Sequence, residues 1–128
     1  MRFLLDTHTV LWAARDPQKL GPDAEAIIRN SDNERLFSAA TIWELAIKIN
    51  IGKIDVPGGL THFLSRARNE LMLTQLDIIP EHALILETLP LHHRDPFDRL
   101  LVAQCMFENV PIVSVDDKLD LYSVRRIW

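Results

Sequence analysis

A chain of 128 residues, 48% apolar and 25% charged, carries enough apolar surface for one compact core and is short for two. No apolar run approaches the ~20 residues of a membrane helix, and Asp6 interrupts Met1-Arg2-Phe3-Leu4-Leu5 too early for a signal-peptide core, which predicts a cytoplasmic protein. Cys105 is the only cysteine, so an intramolecular disulfide is excluded, and a formal charge of −4 argues against a nucleic-acid binder that works through massed Lys and Arg.

In chain order, Arg2 to Leu5 reads as a strand that ends at Asp6-Thr7, and Thr9 to Arg15 as the helix after it. Gly21-Pro22 opens a second helix to Asn30, with Ala24, Ile27 and Ile28 as its apolar stripe. Arg35 to Ser38 is expected as the second strand and Thr41 to Asn50 as a helix stopped at Gly52. Lys53 to Gly59, with Pro57-Gly58-Gly59, is a connection, and Leu60 to Leu73 has helical spacing. Gln75 to Ile79 is the third strand expected, and Pro80 starts a helix that runs to Pro90.

Asp95 to Asn109 carries the clearest helical signal. It includes Leu101-Val102-Ala103-Gln104-Cys105-Met106, where Cys105 reads as a buried apolar thiol. Pro111 to Val115 is a further strand, and Val124 to Trp128 a last edge strand. Apolar strands alternating with helices predict an α/β fold with a mostly parallel sheet covered on both faces, formed by residues 1–128 as a single domain.

Parallel strands end, and the helices after them begin, at one sheet edge, where open sheets form a ligand crevice. Asp6 follows the first strand, Glu44 is expected in the first turn after the second, Asp98 in the first turn of the Asp95 helix, and Asp116 directly after Val115. Each acid also has an ordinary explanation. Asp6 could cap a helix; Thr41-Ile42-Trp43-Glu44 fits a capping box, with Glu44 and Lys48 spaced for an ion pair. Asp95-Pro96-Phe97-Asp98 fits a cap, an N1 proline and a first-turn acid, and Asp116-Asp117 a polar turn.

Those explanations leave the convergence of four distant acids on one edge unaccounted for, and convergence points to Mg²⁺, or Mn²⁺, held by carboxylates. With these four set aside, 14 acidic residues face 14 basic ones, so net charge no longer opposes an RNA substrate. None of the histidines, His8, His62, His82, His92 and His93, pairs with Cys105 in a zinc-like spacing. His92-His93, just ahead of the Asp95 helix, reads as a solvated loop pair sooner than as a phosphate contact, and Trp12 and Trp43 read as core sooner than as base-stacking platforms.

Four segments together resemble the PIN-domain nucleases, and within them the VapC-like toxins of bacterial toxin-antitoxin pairs. They are Leu4-Leu5-Asp6-Thr7-His8, the run from Ser38 to Lys48 (SAATIWELAIK), the run from His92 to Gln104 (HHRDPFDRLLVAQ), and Val113-Ser114-Val115-Asp116. They occur in family order across nearly the whole chain, and the segment from Tyr122 to Trp128 also resembles that subgroup. The resemblance implies a three-layer α/β/α fold with strand order 3-2-1-4-5 and an acidic site of Asp6, Glu44, Asp98 and Asp116. Asp95 and Asp117 are the competing neighbours, and Ser114 stands nearest to the Thr or Asn that members carry beside the last acid.

The implied activity is metal-dependent, endonucleolytic hydrolysis of RNA leaving a 5′ phosphate, in a homodimer paired with a small antitoxin. Arg94, Arg99 and Lys48 are candidates to position the RNA backbone or to serve as surface charges. Two other classes fit less well. A Mg²⁺ phosphatase or phosphoryl-transfer domain using Asp6 lacks a second acid two residues on and a Gly-rich phosphate loop. A non-catalytic PIN-like binding module would not need all four acids.

Overall fold

β1 (Arg2–Leu5) places Phe3, Leu4 and Leu5 in full burial, so its apolar residues do not alternate with polar ones. A strand covered on both faces has that pattern. The computed structural model describes residues 1–128, and its five strands form one sheet in the order β3-β2-β1-β4-β5, with every neighbouring pair parallel. The remaining strands are β2 (Glu34–Ser38), β3 (Leu73–Leu76), β4 (Ile112–Val113) and β5 (Arg126–Ile127). Fold class and strand order therefore match expectation.

Side chains from alternate strand positions feed two separate cores. Phe3, Leu5, Phe37 and Val113 pack on one face against α1 (Thr7–Arg15), α2 (Pro22–Arg29), α3 (Ala39–Asn50) and α4 (Leu60–Leu71). Leu4, Leu36 and Ile112 pack on the other against α6 (Pro96–Glu108), with α5 (Pro80–Ile85) at its side. Cys105 lies in this second core, where burial pushes its thiol well above the usual range; it is a packing residue, as expected.

Several boundaries differ from expectation, each for a local reason. α3 begins at Ala39 because Ser38, the last residue of β2, is itself the cap and accepts from the Ala40 N–H at 3.0 Å. Thr41 is therefore inside the helix, the expected capping box does not form, and Glu44 lies in the second turn rather than the first. α4 stops at Leu71 because Met72 turns left-handed, at φ 51°, and β3 starts at once at Leu73, ahead of the expected Gln75. Helices usually take Gly or Asn at such a terminus, so Met72 gives no warning.

α5 ends at Ile85 instead of continuing to Pro90. The N–H groups of Leu86, Glu87 and Thr88 reach back only three residues, to Ala83, Leu84 and Ile85, which tightens the last turn. β4 ends at Val113, short of Val115, so Asp116 does not come directly off the strand. It caps a 3₁₀ turn over Asp117–Leu121, accepting from the Lys118 N–H.

The chain runs from β1 through β2 to β3 on one side of the sheet, then returns to place β4 and β5 on the other. The crevice of an open parallel sheet forms where this reversal occurs, at the C-terminal ends of β1 and β4. Asp6 immediately follows β1, and its N–H donates to Val113 O of β4 at 3.1 Å.

Candidate functional site

Asp6 is buried at the start of α1, where one carboxylate oxygen accepts from the Thr9 N–H at 2.8 Å and the Thr9 hydroxyl at 2.6 Å. Capping is therefore part of its role. Burial raises its pKa above the usual carboxylate value, opposed by the Ser114 and Thr9 side chains, the Thr9 N–H and the charge of His8.

Glu44 reaches the same edge from α3. Its side chain is 4% exposed, one oxygen accepts from the Thr7 hydroxyl at 2.7 Å, and the other from Lys48 Nζ at 2.6 Å. Thr7 has one hydroxyl proton, which goes to Glu44, so Thr41 donates to Thr7 across 3.1 Å. This line of hydroxyls fixes the Glu44 carboxylate beside the first turn of α1.

Asp95 and Asp98 separate cleanly. Asp95 caps α6, one oxygen accepting from the N–H groups of Phe97 and Asp98 at 2.8 and 3.3 Å. Asp98, in the first turn as expected, has its pKa pushed up to about 7 by burial, then by the charges of Asp95, Asp6 and Glu44, against a lowering from His93. A carboxyl raised by three other carboxylates marks an excess of negative charge in one place. Hard oxygen donors gathered in this way fit a divalent cation.

Asp116 carries the fourth carboxylate. Its Oδ2 lies 2.7 Å from His93 Nε2, and its own N–H donates to the Ser114 hydroxyl. Asp117 is exposed.

The tightest group is not the four expected acids. It comprises His93, Asp98 and Asp116, whose donor atoms all lie within 4.8 Å of one another, while Asp6 and Glu44 act on Asp98 through their charge. The sequence reads His93 as a solvated loop residue, and the structure corrects this. Its side chain is only 12% exposed, its N–H donates to the Tyr122 hydroxyl at 2.9 Å, and its Nδ1 accepts from the Asp95 N–H at 3.1 Å. Nothing in the local sequence signals the Asp116 contact, because its partner lies 23 residues downstream.

The basic residues also differ from expectation. Lys48 is committed to Glu44, and Arg99 donates to Leu89 O, Pro90 O and the Tyr122 hydroxyl, so it ties down the segment before α6. Arg94 is exposed. Trp43 is not core: it is 57% exposed and meets the Phe97 ring in a T-shaped contact of 4.9 Å, beside the acids that follow both residues in sequence.

None of the four acids lines a cavity. The molecule's cavities lie elsewhere, including one of about 210 Å³ between α1 and α4 walled by Arg15, His62, Phe63 and Arg66.

The family model for the PIN domain matches residues 3–125. No curated protein sequence matches the chain. Among solved structures, the chain is similar to one in the crystal structure of VapBC2 from Rickettsia felis bound to a DNA fragment from their promoter, at 15% identity and a TM-score of 0.69, with 100% of each chain covered. At that identity the likeness concerns the fold.

Proposed function

The chain belongs to the PIN-domain family, and from that membership and the acidic edge we propose that it is a Mg²⁺- or Mn²⁺-dependent endoribonuclease, the toxin of a toxin-antitoxin pair acting in the cytoplasm. The observation that carries this reading is geometric: Asp98 and Asp116 offer donor atoms within 4.8 Å of each other, and Asp6 and Glu44 stand close enough to act on Asp98 through their charge. Asp6, Glu44, Asp98 and Asp116 would hold the cation. When bound, it supplies Lewis-acid chemistry: it polarises the scissile phosphate, favours hydroxide formation and offsets charge that develops in an in-line displacement.

The chain's own residues prepare that edge. Thr9 and its N–H orient Asp6, Thr7 and Lys48 orient Glu44, and the Asp95 cap sets the first turn of α6 so that Asp98 faces the other acids. Purified protein should cleave members of a panel of structured RNAs with Mg²⁺ or Mn²⁺, and both EDTA and Asp6→Asn should stop it. Cation-independent cleavage, or turnover of a small phosphate ester alone, would overturn the assignment.

The toxin reading rests on the resemblance in four segments and on the fold shared with the VapBC2 structure. A small antitoxin would cover the acidic edge with a basic side chain, and two copies of the chain would form the toxin dimer. Expression of the wild-type chain alone should arrest growth, and Asp6→Asn should relieve the arrest at matched protein levels. Equal growth of the two strains would remove the toxin role.

A further inference from the structure

His93 places its ring beside two carboxylates, Asp98 and Asp116, whose donor atoms lie within 4.8 Å of each other and of its own. Its Nδ1 accepts the Asp95 N–H, which leaves Nε2 as the protonated nitrogen of the ring. That Nε2–H donates to Asp116 Oδ2 at 2.7 Å, and Asp98 Oδ2 lies 3.3 Å from the same nitrogen without a hydrogen bond from it. The other Asp116 oxygen is engaged by the Lys118 N–H, so the oxygen that His93 contacts is the one left for coordination. In this pose the ring offers the acids a proton and no lone pair, so it acts as a donor and not as a ligand.

Resting on the cation site proposed above, we propose that His93 is a positioning residue that stands in for the cation: its Nε2–H holds Asp116 beside Asp98 in the metal-free protein and is displaced when a divalent cation binds. The backbone is arranged for such a movement. The His93 N–H is tied to Tyr122 and Asp95 caps α6, so the segment stays in place while the imidazole rotates out about its side-chain torsions. In the metal-free state this contact keeps two carboxylates in register that would otherwise repel. It also competes with the cation for the same oxygens.

The test compares the full chain with His93→Asn and His93→Gln, titrated with Mn²⁺ by calorimetry and melted in EDTA and in saturating Mn²⁺. Asn is short: its amide oxygen can still accept the Asp95 N–H, but its N–H cannot reach the acids. His93→Asn should therefore melt lower in EDTA, recover with Mn²⁺, and bind Mn²⁺ roughly three- to tenfold more tightly because no competitor must leave. The longer Gln can present an N–H to the acids and should bind Mn²⁺ close to wild type.

Weaker Mn²⁺ binding by His93→Asn would make His93 a ligand and overturn the proposal. An equal drop in melting temperature with and without Mn²⁺, at unchanged affinity, would reduce it to a loop anchor. Nitrogen-15 imidazole spectra of the wild type supply a readout that needs no variant. Without metal they should show Nε2 protonated and Nδ1 bare, with a hydrogen-bonded Nε2–H signal that Mg²⁺ removes; an unchanged signal at saturating Mg²⁺ overturns the inference. A wild type that binds neither cation overturns both this inference and the proposed site, whereas cation binding with an unaltered His93 overturns this inference alone.

Discussion

Asp98→Asn should raise the melting temperature of the metal-free protein at pH 8 while cutting cation-dependent RNA cleavage at least about a hundredfold. The stability half follows from the raised carboxyl. Its folded pKa of about 7 lies above the ordinary 3.8, so between those values the folded state binds more protons than the unfolded one. Stability therefore falls as pH rises through that window, and the full penalty is present above pH 7. Asn keeps the shape and removes the charge.

With the Asp98 side chain 23% exposed, the gain is on the order of 2–4 kcal/mol, or a rise of about 7–15 °C at pH 8. Near pH 4 the two proteins should melt together. Thermal melts in EDTA from pH 4 to 8, beside cleavage assays in Mg²⁺, check both halves. A constant offset across pH would mean that Asp98 carries no charge strain, and retained cleavage would remove it from the site.

Lys48→Met should produce the largest loss of stability near the site, about 2 kcal/mol in urea unfolding. Glu44 is 4% exposed and Lys48 27%, so the substitution leaves a buried carboxylate with the Thr7 hydroxyl as its remaining donor. Partial solvation of Lys48 keeps the loss below the 3–5 kcal/mol typical of a fully buried broken pair. The double variant Glu44→Gln, Lys48→Met should recover most of it, with a coupling of about 1–3 kcal/mol in the double-mutant cycle. Purely additive effects would show that the 2.6 Å contact is a surface pair of little consequence.

Much of the site was legible because its signals are local. Asp95-Pro96-Phe97-Asp98 spells out a cap, a first-turn proline and a first-turn acid within four residues, and α6 forms that way. Asp6 at the end of an uninterrupted apolar strand is equally direct. Glu44 was placed on the correct helix but one turn too shallow, because Ser38 serves both as the last strand residue and as the cap, a double use that no pattern in Ser38-Ala39-Ala40-Thr41 distinguishes. Trp43 looked like core by composition. Its exposure depends on whether another element covers that face of α3, and its ring contact is Phe97.

By itself the sequence determined the element types and the two-sided burial of the strands, because backbone hydrogen bonds, caps and side-chain periodicity act within a turn or two of the residue that encodes them. It also determined that Asp6 would follow a strand end and Asp98 a helix start; the strand order 3-2-1-4-5 came through the resemblance to a family. The tertiary structure alone decided which groups meet at the edge: His93 beside Asp116, Thr7 on Glu44, Lys48 spent on the same carboxylate, and Arg99 on backbone carbonyls. The first two contacts join residues 23 and 37 positions apart. Their existence depends on how β1, α3 and α6 are brought together by the sheet, and on the loops that cross its edge, because a hydrogen bond reads distances of a few ångströms that no local spacing specifies.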